Sequence, residues 1–462
     1  MKILRHLVSL SLALPGALLL LPVAALPAAE RPNIVFILAD DLGYGDVSCY
    51  GAADVETPHI DALAAAGVRF ANAYAMATEC TPSRTSILTG RYPHRPGGLE
   101  CAIGTGNVGR YDDAIRLADA GELGLPPRFA TLAPGLRAAG YYNGVFGKWH
   151  LGYEPKFSPL RQGFDEFVGF LGGNVEYFRH FELSDLPAYV SGTEPVEREG
   201  YLTDLITADA LAFLEGRAAQ PERPFFLYLP HAAPHFPFQG PDDGSLPPPT
   251  EETWTQGSRE TYLAMVSRLD DSVGEVVAAL DRHGFAENTL VVFASDHGAM
   301  APGDNSPWRD YKGTLFEGGI RTPLIAKWPG RLEAGTESGQ VATLMDLTAS
   351  FLTLAGAPEP RPPLDGIDIL AHVVEGRSDV PRTLHWRYRR GDMTWRGLRD
   401  GDDKYVRREE GGEVEEWLFD LASDPMERRN RLEDKANAEA ADDAARLLRR
   451  LGEREAETPP ER

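Results

Sequence analysis

Cysteine is scarce: the 462 residues include three, Cys49, Cys80 and Cys101. Three are too few for a disulfide scaffold, so the fold must rest on its own core. Positive charge is short as well, with 46 Lys and Arg against 69 Asp and Glu and a net charge of −23. Such a surface repels DNA, RNA and anionic membranes, which removes nucleic-acid binding from the functions to consider. A local cluster of Lys and Arg still overrides a distant field within a Debye length, so an anionic substrate stays open. No long apolar run follows Ala29 and no internal repeat is visible, which argues against later membrane spans and solenoid arrays.

What is present is an ordinary globular composition, 43% hydrophobic and 25% charged, in a chain long enough for one large domain and a smaller one. The start differs from the rest. Lys2, Arg5 and His6 precede an uncharged run from Leu7 to Ala29 that ends in small residues. This pattern predicts a signal peptide over 1–29, cleaved after Ala25 or Ala29, and export to the periplasm or beyond. The other reading is an uncleaved anchor, against which Pro15, Pro22 and Pro27 interrupt the run.

Asn33–Ala39, Phe225–Leu229, Thr289–Ser295 and Pro323–Trp328 are continuous apolar runs, the mark of strands buried on both faces. Helical patterns lie between them. Thr57-Pro58 supplies an N-cap and a first-turn proline, and Glu260–His283 carries apolar residues at helical spacing. The alternation predicts a large, mostly parallel α/β sheet flanked by helices over 30–360. After the prolines at 358, 360, 362 and 363 come polar strand-like pieces at Leu384–Tyr388, Trp395–Leu398 and Glu416–Asp420, then a charged helix. These predict a smaller antiparallel sheet with a helical tail over 361–462.

Polar residues gather where the strands end. Asp40-Asp41 follow the first strand, Asp296-His297 another, His231 and His235 a third, and Lys148 and His150 the segment Gly144–Gly147. Ligands of open α/β sheets collect beyond these carboxyl ends. Three carboxylates and an imidazole in one place need a cation. Carboxylate oxygens favour calcium or magnesium, and His297 leaves room for manganese. Asp40-Asp41-Leu42-Gly43 and Asp296-His297-Gly298, each taken alone, also read as turns. Cys80-Thr81-Pro82-Ser83-Arg84 reads as a helix start, where orphan amides and the dipole favour anions.

The run from Cys80 through Pro82, Ser83 and Arg84 to Thr89-Gly90 resembles the signature of formylglycine-dependent (type I) sulfatases of the alkaline-phosphatase superfamily. Asp40-Asp41-Leu42-Gly43, Gly147-Lys148-Trp149-His150, Pro234-His235, Ser295-Asp296-His297-Gly298 and Lys312-Gly313-Thr314 match in the same order, and the likeness spans about residues 32–425. The resemblance implies that a maturation enzyme converts Cys80 to formylglycine, whose hydrate attacks a sulfate ester. It implies that Asp40, Asp41, Asp296, His297 and the modified Cys80 hold the metal, and that Arg84 holds the hydrate. Lys148 and Lys312 would then neutralise sulfate oxygens. His150 would assist the aldehyde–diol steps, and His235 or Lys312 would protonate the leaving alcohol. His231 does not match the family histidine and is expected on the pocket wall or behind it.

A sulfated glycan is the expected substrate, with the sugar left open. Gly98–Pro126, including Asn107–Arg110, and Gly169–Tyr177, including Asn174 and Glu176, are either pocket-shaping or plain surface loops. Two rivals remain. One is a phosphonate or phosphate-ester hydrolase of the same superfamily, in which the Lys–His pair at 148 and 150 is characteristically replaced. The other is a non-catalytic glycan-binding homologue, against which every motif residue stands intact. Cys49 and Cys101 are left as the pair for any disulfide.

Overall fold

The computed structural model describes residues 31–104, 111–184, 187–358, 360–376, 379–434 and 436–461. The expected signal peptide and Asn107–Arg110 lie outside the described residues. Among the described residues, no helix is long and apolar enough to cross a membrane.

A ten-stranded sheet forms the frame. Its middle is Thr289–Ser295, Asn33–Ala39, Phe225–Pro230, Tyr142–Lys148 and Glu166–Phe170, neighbours in that order and all parallel. Leu324–Lys327 joins Thr289–Ser295 in the antiparallel sense, so the sheet is mixed. All seven residues of Asn33–Ala39 are buried, which explains their unbroken apolarity. Ile34, Phe36 and Leu38 enter the core on one face, and Val35, Ile37 and Ala39 the core on the other.

The second face is covered by the helices Leu202–Ala218, Arg259–Arg282 and Pro58–Ala65. The long helix is capped by Ser258, which accepts from the N–H of Thr261. The short helix starts at the expected proline, but the Thr57 side chain does not cap it. Asp270 of the long helix takes the orphan N–H groups of His59 and Ile60, at 3.1 and 2.8 Å, while Thr57 hydrogen-bonds Ser48. A buried carboxylate from the packing partner satisfies the donors better than a local hydroxyl already engaged.

On the first face lie the helices Cys80–Thr89, Leu132–Ala138 and Asp346–Leu354, and beside them a four-stranded antiparallel sheet of Thr383–Arg390, Met393–Asp400, Asp403–Glu410 and Glu413–Asp420. Leu384, Trp386 and Tyr388 join the main core, and Trp386 Nε1 donates to the carbonyl of Ala75 at 2.8 Å. The opposite side of this small sheet packs Leu398, Tyr405 and Leu418 against Ala440, Leu447 and Leu451 of the helix Ala438–Glu457. No disulfide joins Cys49 to Cys101, the pair left for any bridge. Cys101 sits in the core of one sheet face and Cys49 against the core of the other, so the sheet separates them.

Candidate active site

Four adjacent parallel strands deliver their polar ends to one edge. Asp40 and Asp41 follow Asn33–Ala39, Asp296 and His297 follow Thr289–Ser295, His235 lies beyond Phe225–Pro230, and Lys148 closes Tyr142–Lys148. Backbone bonds stitch the rim: Asp40 N–H donates to Ala233 O and Asp296 N–H to Ala39 O, both at 3.1 Å. Asp41 and His150 hold φ of 61° and 59°, a left-handed conformation that costs a non-glycine residue about 1–3 kcal/mol and persists where its surroundings fix it.

Cys80 is the first residue of the helix Cys80–Thr89, which is buried along its whole length. Its hydroxyls make that burial affordable by bonding inward. Thr85 and Thr89 donate to the carbonyls of Thr81 and Thr85, at 2.8 and 2.7 Å, and Ser83 donates to Asp296 O. Thr81 Oγ1 donates to His150 O at 3.0 Å and accepts from Ile103 N–H at 3.2 Å, so the helix start is pinned to two loops.

The charged groups form one buried network. Cys80 Sγ lies 3.4 Å from Asp40 Oδ1, 3.4 Å from His297 Nε2 and 3.6 Å from Lys312 Nζ. Lys148 pairs with Asp40, while Lys312 Nζ reaches both oxygens of Asp41 at 2.7 and 2.8 Å. Arg84 binds Asp296 through Nε at 3.1 Å, reaches Asp40 at 3.5 Å and donates to Lys148 O at 3.0 Å. His235 Nε2 stands 3.6 Å from Asp41 Oδ2, and its Nδ1 faces Phe236 O at 2.7 Å.

Burial alone would raise the Cys80 thiol, yet Lys148, Lys312 and His297 hold it well below its ordinary value. Burial pushes Asp296 up to about 6. Against its own burial, His297 is carried up to about 9 by the Asp296 and Cys80 charges. Burial lowers His150, whose Nε2 lies 2.5 Å from Ile103 O.

The donor set fits a divalent cation. Asp40, Asp41, Cys80 and His297 are buried and each offers one ligand atom, all within 4.8 Å of one another. Asp296 also reaches this place, with Oδ1 3.5 Å from His297 Nε2, while its other oxygen is taken by Arg84.

Above the network opens a cavity of about 860 Å³. Cys80, His150, His235 and Lys312 line it, and so do Asn174 and the Ala102–Gly104 stretch of the two loops that the sequence left open between pocket-shaping and plain surface. Glu79, Tyr388, Arg390 and Met393 line it too and were not foreseen. Glu79 Oε1 takes Tyr388 Oη at 3.0 Å and Arg390 at 2.9 Å, so the small sheet supplies one rim of the cavity. His231 is absent from the lining. It is buried against Ser272, 3.2 Å away, and burial drives it down to about 3.

The sulfatase family profile matches residues 32–357, and the profile of the N-sulphoglucosamine sulphohydrolase C-terminal region matches residues 306–454. The N-acetylgalactosamine-6-sulfatase of Rattus norvegicus is 36% identical over 391 residues, 79% of this chain and 71% of that protein. Arylsulfatase A of Homo sapiens is 36% identical over 393 residues, 80% of this chain and 72% of that protein. Among solved structures, Ps i-CgsB in complex with k-i-k-neocarrahexaose superposes with a TM-score of 0.79 at 28% identity, covering 93% of this chain and 94% of that one. The phosphonate monoester hydrolase of Agrobacterium radiobacter shares the fold, with a TM-score of 0.67 at 21% identity over 92% of this chain and 96% of that one.

Proposed function

Because this chain belongs to the sulfatase family, whose members are sulfuric ester hydrolases, we propose that it removes sulfate from a sulfated saccharide with Cys80 as the seat of the nucleophile. The observation that carries this reading is the position of Cys80 at the floor of the cavity, at a helix N-terminus, with Asp40, His297 and Lys312 within 3.6 Å of its sulfur. Converted to formylglycine by a maturation enzyme, residue 80 supplies through its hydrate one hydroxyl to attack sulfur and a second to release sulfate. Asp40, Asp41, Asp296, His297 and residue 80 would hold a divalent cation, calcium by preference, which would supply a lowered pKa for the attacking hydroxyl and polarisation of the ester.

The chain's own residues do the rest. Lys148 and Lys312, fixed by Asp40 and Asp41, set positive charge where the sulfuryl oxygens gain negative charge in the transition state. Arg84 holds the Asp296 and Asp40 carboxylates in register beneath them. His150 moves a proton at the aldehyde–diol stage. The departing alcohol takes its proton from His235 or Lys312, both of which line the cavity and both of which touch Asp41. Arg84 stands in the buried helix Cys80–Thr89 and the others at strand ends or in loops held by buried hydrogen bonds, so positioning is built in before substrate arrives.

The basic and apolar start of the chain supports export, and the names of the relatives point to N-acetylgalactosamine 6-sulfate and carrageenan-type oligosaccharides as the first substrates to try. The test is a peptide mass spectrum of protein made together with a formylglycine-generating enzyme. Trypsin releases Phe70–Arg84, and the aldehyde or its hydrate at residue 80 is the expected mass. An unmodified thiol, from cells that modify a control sulfatase, overturns the reading.

A further inference from the structure

A second cavity of about 400 Å³, within the range of small-ligand sites, opens beside the catalytic one and shares Glu182, Leu183 and Glu251 with it. A hydrogen bond crosses the partition between them. Trp254, which lines the second cavity, donates through Nε1 to Oδ1 of Asn174, which lines the first, at 2.9 Å. The inner wall is built rather than incidental. Glu176 is buried there, accepts from Gln239 Nε2 at 2.8 Å and from Phe178 N–H at 3.2 Å, and so is held in one position.

The chemistry of the lining is specific. Phe181 and the half-exposed Leu183 give apolar ground on which the C–H face of a sugar ring can rest. Glu176, Glu182 and Glu251 carry hydroxyl-accepting carboxylates, and among the described residues of the lining Arg179 is the one cation, 3.8 Å from Glu176. Three carboxylates against one paired guanidinium repel a sulfate or a uronate carboxylate but suit a ring that offers only hydroxyls. The catalytic cavity next door shares Glu182 and Glu251 but adds two cations that the second lacks, Lys312 at its floor and Arg390 at its rim, paired with Asp41 and Glu79.

We propose that the second cavity is a saccharide subsite, and that the sugar it takes, linked to the one that carries the scissile sulfate, is uncharged. Resting on the sulfatase reading, the proposal narrows the substrate class to glycans in which a sulfated unit adjoins a neutral one. The linkage between the two rings passes over Glu182, Leu183 and Glu251, the residues that line both cavities.

The test is binding to the full-length Cys80→Ala protein, which needs no turnover, measured by calorimetry with three probes. These are N-acetylgalactosamine 6-sulfate alone, the same sugar linked to galactose, and the same sugar linked to glucuronate. The galactose disaccharide is expected to bind about tenfold more tightly than the monosaccharide, and the glucuronate disaccharide no more tightly than the monosaccharide. Phe181→Ala, and separately the surface change Leu183→Ala, should each bring the galactose disaccharide to within about threefold of the monosaccharide. Equal binding of the three probes, absence of binding included, or tighter binding of the glucuronate compound, overturns the proposal. Hydrolysis of 4-nitrophenyl sulfate by the formylglycine-bearing protein reports on the sulfatase reading alone, so the two failures are told apart.

Discussion

Gly173 stands against the ring of His150: a Cβ built at Gly173 would lie 2.7 Å from both Cε1 and Nε2 of the imidazole. The ring has little room to retreat, because Nε2 is already 2.5 Å from Ile103 O and the His150 backbone is fixed at a φ of 59°. Gly173→Ala is therefore expected to move His150 and lower kcat on 4-nitrophenyl sulfate at least tenfold, at a stability cost of about 1–3 kcal/mol. Gly216→Ala is the control, since nothing lies within 4 Å of its added carbon in the helix Leu202–Ala218. It should leave kcat alone and raise stability by up to about 1 kcal/mol. Equal effects of the two changes on kcat would show that His150 does not depend on that space.

Cys80→Ala tests the nucleophile without removing a structural contact of consequence. The sulfur fills the floor of the cavity, but the ion pairs Lys148–Asp40, Lys312–Asp41 and Arg84–Asp296 close without it. Turnover should vanish, and the melting temperature should stay within a few degrees of the parent. Residual sulfatase activity above about one thousandth of the parent rate rules out Cys80 as the nucleophile.

The frame of the site was legible because its chemistry is local in sequence. A buried parallel strand must be apolar throughout, so the chain that leaves it carries the first polar groups, and Asp40, Lys148 and Asp296 stand there. Cys80 announced itself through the neighbouring Pro82, Ser83 and Arg84. Glu79 and Arg390 were not legible, since their pairing joins residues three hundred positions apart through the packing of the small sheet on the catalytic helix. The strand Asp403–Glu410 was missed for a related reason. Its sequence, DKYVRREE, is polar on a small sheet whose far end meets solvent, and Lys404 is buried there only because carboxylates from elsewhere surround it.

That lysine ties the small sheet to the loop that carries Lys312. Lys404 Nζ lies 2.7 Å from Glu317 and 2.7 Å from Glu427, with all three side chains at most 1% exposed. Burial lifts Glu427 to about 7, whereas Lys404 and Arg321 overcome the burial of Glu317 and hold it down to about 2. Lys404→Met leaves Glu317 the pairing with Arg321 at 3.2 Å but strips Glu427 of its cation. A loss of about 3–5 kcal/mol is expected for a broken buried pair. The urea midpoint measures it, and adding Glu427→Gln should recover part of the loss. No shift in the midpoint would mean that water reaches the pair.

Acid should loosen the docking of the C-terminal helix. His94 Nε2 lies 2.7 Å from Thr458 O, just past that helix, and Thr458 Oγ1 lies 3.2 Å from His385 Nε2. Burial lowers His94 to about 4, and burial with the facing His94, Arg454 and Arg95 holds His385 well below its ordinary value. The folded pKa lies under the unfolded one, so the unfolded chain binds more protons between the two. Stability is then fully present above about pH 6.5 and falls as the pH drops toward 4, by about 3 kcal/mol for His94 alone. Glu427, raised to about 7, acts in the opposite sense, which is why the comparison with His94→Gln is needed. The melting temperature of that variant should fall less steeply from pH 7 to pH 4 than the parent's. Parallel curves would assign the acid sensitivity elsewhere.

The carboxylates that a divalent cation needs are the same ones that hold the two lysines, Asp40 with Lys148 and Asp41 with Lys312. A cation held there would share those carboxylates with the two ammonium groups, so metal and substrate sites would be coupled through common ligands. Chelation should therefore abolish turnover, and calcium should restore it. Stability gives an independent readout. At a hundredfold excess over its dissociation constant, calcium is expected to add about 2.7 kcal/mol, and the melting temperature should climb with the logarithm of its concentration. Asp40→Asn and His297→Ala should flatten that climb, whereas Glu176→Gln, in the second cavity, should not. A melting temperature that ignores chelator and calcium alike would remove the cation from Asp40, Asp41, Cys80 and His297, and would leave the two lysines as the permanent partners of those carboxylates.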